Sequence, residues 1–161
     1  MTDHTRRTFL KGAGAATAAL AGVPLTASAD DDGWTVAETP TGNTLYDAAY
    51  ATGGAYAVGA GGVVLERTDR GWRKLLDGGP TGNGNSLYGL DVTDDGDRLW
   101  FVGSSGAIGE YDVPARTLYS HSAPMDVTNN FNGVAVTGAA GEANVYVAGD
   151  SGKVYYSFEN G

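Results

Sequence analysis

One thirteen-residue pattern occurs three times in the chain and constrains its fold more than any other feature. The copies are Ala55–Arg67, Leu99–Tyr111 and Val145–Ser157. Each has a short run rich in apolar and aromatic residues, a glycine-containing turn and a second such run, which is the pattern of a β-hairpin. Three such hairpins in 161 residues predict an all-β protein, and no segment after residue 29 has a helical period.

The spacing of the hairpins predicts a repeat of four short strands. The turn glycines Gly59, Gly103 and Gly149 are 44 and 46 residues apart. Each interval has room for an outer strand, such as Gly71–Leu76, and an inner strand, such as Leu87–Val92. A period in the mid-forties with four strands is typical of a propeller blade, so we expect three propeller-type blades of about 44–46 residues.

Three blades are fewer than the roughly four to eight blades of closed propellers, and three arrangements are compatible with this count. Two chains pair into a six-bladed ring, or one chain remains an incomplete propeller, or the repeats close as a β-trefoil. In the propeller arrangements, we expect a strand at Gly33–Glu38 to pair with Lys153–Ser157 as the outer strand of the third blade, because exposed sheet edges promote aggregation.

The N-terminal segment resembles a twin-arginine export signal. Arg6–Arg7 is followed by Phe9–Lys11 and then by a weakly apolar run at 13–23. That run is too short to span a bilayer as a helix. Ala27–Ala29 has the small residues of a signal cleavage site.

Cleavage after Ala29 would divide the chain into a signal peptide, residues 1–29, and a β-propeller-like domain, residues 30–161. Twin-arginine signals are addresses read by a receptor, so this one predicts an extracellular or cell-surface location with no membrane span left after removal of the signal. An N-terminal anchor that is never cut is the alternative.

The charge of the chain disfavours some classes of partner. Asp and Glu number 19 against 10 Lys and Arg, and residues 30–161 alone contain 18 against 7. Such a charge repels nucleic acids and anionic membranes. It suits a halophilic source, where salt screens the self-repulsion, and an ordinary acidic secreted protein is the alternative. The chain has no cysteine, which excludes disulfides and a thiol nucleophile.

Two turns resemble the Asp-box, an Asp-x-Gly-Trp turn found in propellers. They are Asp69–Trp72 and Asp31–Trp34, whereas Asp112–Pro114 in the middle copy departs from the pattern. On these residues the chain resembles photosystem II assembly factor-like and sialidase-like propellers, the BNR and WD40/YVTN-like group. The resemblance implies an exported, non-catalytic module that binds or scaffolds a protein or a glycan. A sialidase-like glycan hydrolase and a truncated remnant are the alternatives.

The candidate binding surface is the propeller face that carries the hairpin turns and the loops before the inner strands. These segments are rich in asparagine, serine and glycine. Amides, hydroxyls and flat tyrosine rings suit a sugar or a peptide, although Asn and Gly are also ordinary turn residues. The candidate residues are Asn43, Tyr46, Asn83, Asn85, Tyr88, Ser104, Ser105, Asn129, Asn130, Asp150 and Ser151.

The sequence predicts no catalytic group, metal or cofactor. His121, the one histidine after residue 29, is expected on the surface of an outer strand. Asp47 and Asp91 match in position when the repeats are aligned, so they would suit a glycosidase carboxylate pair or would bond backbone amides. Asp94–Asp97 is expected to be a solvated acidic turn, because it lacks the loop that binds calcium in EF-hands.

Overall fold

The computed structural model describes residues 33–158 and residue 160, so the predicted signal peptide lies outside the described residues. The chain divides into two compact units, residues 1–37 and 38–161. In the described part of the first unit, Thr35 forms an isolated β-bridge. The predicted strand at Gly33–Glu38 is therefore wrong as a regular strand. Gly33 has a φ of +84°, which lies outside the extended region. The pairing of this segment with the third blade stays a prediction.

The described part of the second unit is built from β-strands joined by turns and short loops, which confirms the all-β prediction. The strands are β1 (Leu45–Ala51), β2 (Gly54–Gly59), β3 (Val64–Thr68), β4 (Gly71–Leu76), β5 (Leu87–Val92), β6 (Arg98–Gly103), β7 (Ile108–Asp112), β8 (Thr117–Ser120), β9 (Phe131–Thr137), β10 (Asn144–Gly149) and β11 (Val154–Ser157).

The described strands form three separate antiparallel sheets in chain order. Sheet 1 has the order β1-β2-β3-β4, sheet 2 the order β5-β6-β7-β8 and sheet 3 the order β9-β10-β11. A β-trefoil requires a closed barrel, and these sheets are open. Within the described residues, sheet 3 has three strands, with β11 at its edge.

The central hairpin of each sheet turns with the same backbone geometry. In each turn a glycine N–H donates to the carbonyl four residues later, at 2.9–3.0 Å. The second turn residue has a φ between +56° and +71° in all three, which glycine adopts readily and other residues rarely. The donor glycines are Gly59, Gly103 and Gly149. These are the glycines that the sequence singled out.

Sheet 2 contributes to two apolar clusters, one shared with each neighbouring sheet. Tyr56 and Val58 of sheet 1 pack with Phe101 and other sheet 2 residues in the first cluster. Trp100 of sheet 2 packs with Val145 and other sheet 3 residues in the second. Because side chains alternate along a strand, neighbouring residues of β6 point to opposite faces. Each contact between sheets is therefore a face-to-face apolar layer.

The buried tyrosine of the first cluster gives the fold a dependence on alkaline pH. Burial and the nearby Glu66 carboxylate raise the pKa of Tyr56 to about 12. The folded state therefore favours the protonated hydroxyl. Its contribution to stability is complete below the unfolded pKa of about 10 and is lost as the pH rises towards 12. We expect the free energy of unfolding to fall by about 2 kcal/mol between these values.

Tyr56→Phe tests this dependence by urea unfolding at a series of pH values. Over this pH range the free energy of unfolding of the variant should fall much less than that of wild type, because phenylalanine cannot ionise. Tyr50→Phe is the matched control, since Tyr50 is 78% exposed. Identical pH profiles for wild type and Tyr56→Phe would contradict the prediction.

Candidate functional site

Four of the predicted binding residues form hydrogen bonds that hold the loops against the hairpin turns. The Asn43 side-chain amide donates to the carbonyl of Ala60 at 2.9 Å. Asn130 accepts the Ser105 N–H at 3.3 Å and donates to the Asp150 carboxylate at 3.1 Å. These side chains therefore have a structural role within the loop layer. Other candidates lie at exposed or half-buried positions, namely Asn83, Asn85, Ser104, Asn129 and Ser151.

The two predicted tyrosines meet on neighbouring inner strands. Tyr46 of β1 and Tyr88 of β5 pack edge to face, with ring centroids 5.4 Å apart. Tyr46 is 48% exposed, so the pair presents aromatic surface to solvent. Such a surface suits a sugar ring or a peptide side chain, as the sequence suggested, and its use in binding stays a prediction.

The inner-strand aspartates hold the sheets together. Asp47 accepts the backbone N–H of Leu90 in sheet 2 at 2.9 Å. Asp91 accepts the backbone N–H of Val136 in sheet 3 at 2.7 Å. Each carboxylate satisfies an amide of the next inner strand, which is the structural alternative that the sequence allowed.

The alignment of the two aspartates as equivalent positions is wrong. Asp47 pairs with Val58, whereas Asp91 pairs with Trp100. In sheet 1 the residue aligned with Trp100 is Tyr56, and it pairs with Ala49. The turn between β5 and β6 is longer than the turn between β1 and β2, so the inner strand of sheet 2 is shifted by two residues against its hairpin.

The acidic turn Asp94–Asp97 connects sheet 2 to sheet 3. Asp94 accepts the N–H of Gly138 at 2.8 Å, and Asp95 accepts the N–H of Ala140 at 2.7 Å. The Thr93 hydroxyl and the backbone N–H groups of Ala140 and Asp97 donate to Asp95 and hold its pKa below its usual value. Because Asp94 and Asp95 each use an oxygen on a backbone amide, the turn is explained as a structural link. Among the described residues, no group of His, Asp and Glu side chains is arranged to hold a metal.

An apolar cavity between sheets 2 and 3 was not predicted from the sequence. Its volume is about 210 Å³. Residues of both sheets and of the segment after β8 line it. They are Trp100, Ile108, His121, Pro124, Met125, Val145, Val147, Tyr155, Tyr156 and Ser157. The sequence held one signal for it. The strand before His121 lacks the Gly-Trp pair that begins β4 of sheet 1, so sheet 2 differs from sheet 1 at this place.

His121 lies at this cavity rather than on an open surface, which corrects the expectation for it. Its ring stacks on Trp100, with centroids 4.9 Å apart, and its Nε2 lies 3.0 Å from Glu110 Oε2. Glu110 is 3% exposed, and its other oxygen lies 3.1 Å from Arg98 Nε. The cavity wall is thus held in place by a buried carboxylate with two nitrogen neighbours.

Two buried polar atoms of the cavity-lining residues have no hydrogen-bond partner within the described structure. They are the indole Nε1 of Trp100 and the hydroxyl oxygen of Tyr155. Trp100 is 1% exposed. Leaving a buried donor unsatisfied costs about 1–3 kcal/mol. Both atoms lie beneath the surface of the cavity, whose lining is mostly hydrocarbon, so the cavity is chemically suited to an apolar group.

The loop above the cavity is held in unusual backbone conformations. Ala123, Met125 and Asp126 have φ values of +55°, +54° and +61°, a region that non-glycine residues adopt at a cost. The Met125 side chain is 78% exposed at the cavity wall. A flexible apolar side chain there adds contact surface for a ligand.

Comparison with family models identifies the N-terminal segment. Residues 3–22 match the family model for the TAT (twin-arginine translocation) pathway signal sequence, so the chain carries a signal for export by the twin-arginine route. A search of curated proteins gives no match. Within the described residues, no helix has the length and apolar character needed to cross a membrane.

Proposed function

We propose that this protein is an exported, non-catalytic binding module made of propeller-type blades, acting outside the cell or at its surface. The signal sequence supports export. The three successive sheets, with the same hairpin turn in each, support the propeller-type repeat. The partner is a protein that inserts an apolar side chain into the cavity between sheets 2 and 3.

The observation that carries this proposal is the apolar cavity between sheets 2 and 3. A volume of about 210 Å³ is below the roughly 300–1,000 Å³ of sites for drug-sized ligands. It exceeds the roughly 150 Å³ of an engineered cavity that takes benzene. A single large aliphatic or aromatic side chain fits this range.

The same features favour a protein over a glycan. Ile108, Val145 and Val147 present only hydrocarbon to the cavity, and a sugar ring would leave several hydroxyls there without partners. The hydrolase alternative gains no support from Asp47 and Asp91, because both carboxylates bond backbone amides of the next sheet.

Titration by NMR tests the proposal with blocked amino acids as probes. N-acetyl-leucine amide should move the indole N–H resonance of Trp100, with a dissociation constant on the order of millimolar. The indole resonance of Trp72, which lies outside the cavity lining, is the internal control. N-acetylglucosamine should leave the Trp100 resonance unchanged.

Two variants localise the effect. Val147→Phe fills the cavity and should weaken binding of the probe at least about tenfold. Tyr155→Phe removes a hydroxyl that has no accessible surface, so it leaves the cavity in place and should bind the probe about as tightly as wild type. An unmoved Trp100 resonance in wild type, or a response equal in Val147→Phe, would overturn the assignment of this cavity. A shift of the Trp100 resonance with N-acetylglucosamine alone would overturn the protein partner and favour a glycan.

A further inference from the structure

The face of sheet 3 that points away from sheet 2 is apolar and exposed. Tyr156 and Phe158 stack with ring centroids 4.8 Å apart, and Tyr146 packs edge to face on Phe158 at 5.9 Å. The three rings are 66%, 56% and 40% exposed, and Val154 beside them is 64% exposed. We call Tyr146, Ala148, Val154, Tyr156 and Phe158 the aromatic patch.

The corresponding face is covered in the other two sheets. Tyr146 pairs with Ala135 and Tyr156, just as Trp100 pairs with Asp91 and Glu110. Trp100 holds this position in sheet 2 and is 1% exposed, because sheet 3 packs on it. Sheet 1 repeats the arrangement, with Tyr56 at the same position, 1% exposed and packed on sheet 2. The aromatic patch therefore lies where the fold places a contact between sheets.

Sheet 3 lacks the aspartate through which sheets 1 and 2 each hold the next sheet. Sheets 1 and 2 each hold the next inner strand through an aspartate, Asp47 or Asp91. In β9 the residues at these two register positions are Gly133 and Ala135. The carboxylate link that a continuing ring of blades would use is thus missing. This face is more apolar on β11 than on β7 of sheet 2, since Tyr156 takes the place of Glu110.

We infer that the aromatic patch binds the same patch of a second copy of this chain, around a two-fold axis. The chain has a net charge of −9, and two copies repel each other over most of their surfaces. None of the five patch residues carries a charge, so two copies can approach there without burying like charges. Stacked and edge-to-face rings suit a self-complementary sheet-on-sheet contact, and two-fold dimers are the commonest protein assemblies.

This arrangement differs from the six-bladed ring that the blade count suggested. In a ring, sheet 3 of one copy meets sheet 1 of the other, so the two patches are far apart. In the two-fold dimer the patches face each other. The two arrangements can therefore be separated by asking whether a patch residue lies near itself in the partner.

Cross-linking through a single introduced cysteine makes this distinction. The chain has no cysteine, so Ala148→Cys gives one thiol per copy within the patch. A bismaleimide should link the exported Ala148→Cys protein into a covalent dimer at micromolar concentration. Ala115→Cys, at an exposed position in the β7–β8 turn, is the control and should remain largely unlinked. A dimer by light scattering that Ala148→Cys fails to link would overturn the two-fold contact and support the ring.

A second variant tests the patch without any cross-linker. Tyr146→Asp should raise the dissociation constant of the dimer by more than about tenfold, because it places a charge at the centre of the contact. Tyr119→Asp is the matched control, since Tyr119 is 45% exposed on sheet 2. Molar salt should strengthen the wild-type dimer by screening the acidic surfaces. A wild-type chain that stays monomeric in both low and molar salt would overturn the inference. Tyr146 does not line the cavity, so this outcome leaves the proposed function untouched.

Discussion

Replacement of Arg98 by methionine is expected to lower the free energy of unfolding by about 3–5 kcal/mol. Arg98 opens β6 between two buried carboxylates. Its Nε lies 3.1 Å from Glu110 Oε1, and its Nη1 forms an ion pair with Asp112. These acidic residues are 3% and 8% exposed. Methionine keeps most of the aliphatic volume and leaves the carboxylates without their guanidinium, and an uncompensated buried charge is costly.

Urea unfolding followed by tryptophan fluorescence measures this loss. Arg116→Met is the matched control, because Arg116 is exposed and its Nη2 lies 3.7 Å from Glu66 Oε2. Exposed ion pairs contribute about 0–1 kcal/mol, so the control should remain close to wild type. Neutralising both carboxylates in the variant, with Glu110→Gln and Asp112→Asn, should restore part of the stability. Equal losses at the two arginines would contradict the buried ion-pair account.

Gly103→Ala is expected to lower the free energy of unfolding by about 3 kcal/mol or more, although the backbone conformation at Gly103 suits any residue. Gly103 has a φ of −169°, so conformational strain is not the cause. A Cβ at this position would overlap the carbonyl oxygen of Ser86 and lie 2.8 Å from Leu87 Cα. The backbone of Ser86 and Leu87, where β5 begins, cannot move aside without disturbing the pairing of β5 with β6, so the substitution overpacks a rigid contact.

The equivalent glycine of sheet 3 provides a graded comparison. At Gly149 the nearest atom to a Cβ would be a ring carbon of Phe131 at 3.1 Å, and a side chain yields more readily than backbone. Gly149→Ala should therefore cost less than Gly103→Ala. Gly133→Ala should be close to neutral, because no atom lies within 4 Å of its Cβ position. Thermal melting of the three variants measures the series, and the reverse order would contradict the packing argument.

The local elements of this protein were predictable because their signals lie close together in the sequence. Gly71–Leu76 and Leu87–Val92 were predicted as strands and are observed with the same limits. Apolar runs of a few residues between glycine turns are sufficient to predict each hairpin. The failure of a regular strand at Gly33–Glu38 has a local cause, since Gly33 has a φ of +84° and is not extended.

The sequence by itself determined the strand positions, the hairpin turns and the export signal, since each depends on neighbouring residues. The tertiary structure alone decided which faces meet. The link from Asp47 to Leu90 joins residues 43 positions apart, and a longer turn in sheet 2 shifted Asp91 out of the expected match. The cavity combines Trp100, His121 and Tyr155 from separate strands and loops, and the aromatic patch is exposed because the described structure places no fourth sheet on it. Such features arise from the packing of whole sheets, which alternation and spacing along the chain do not specify.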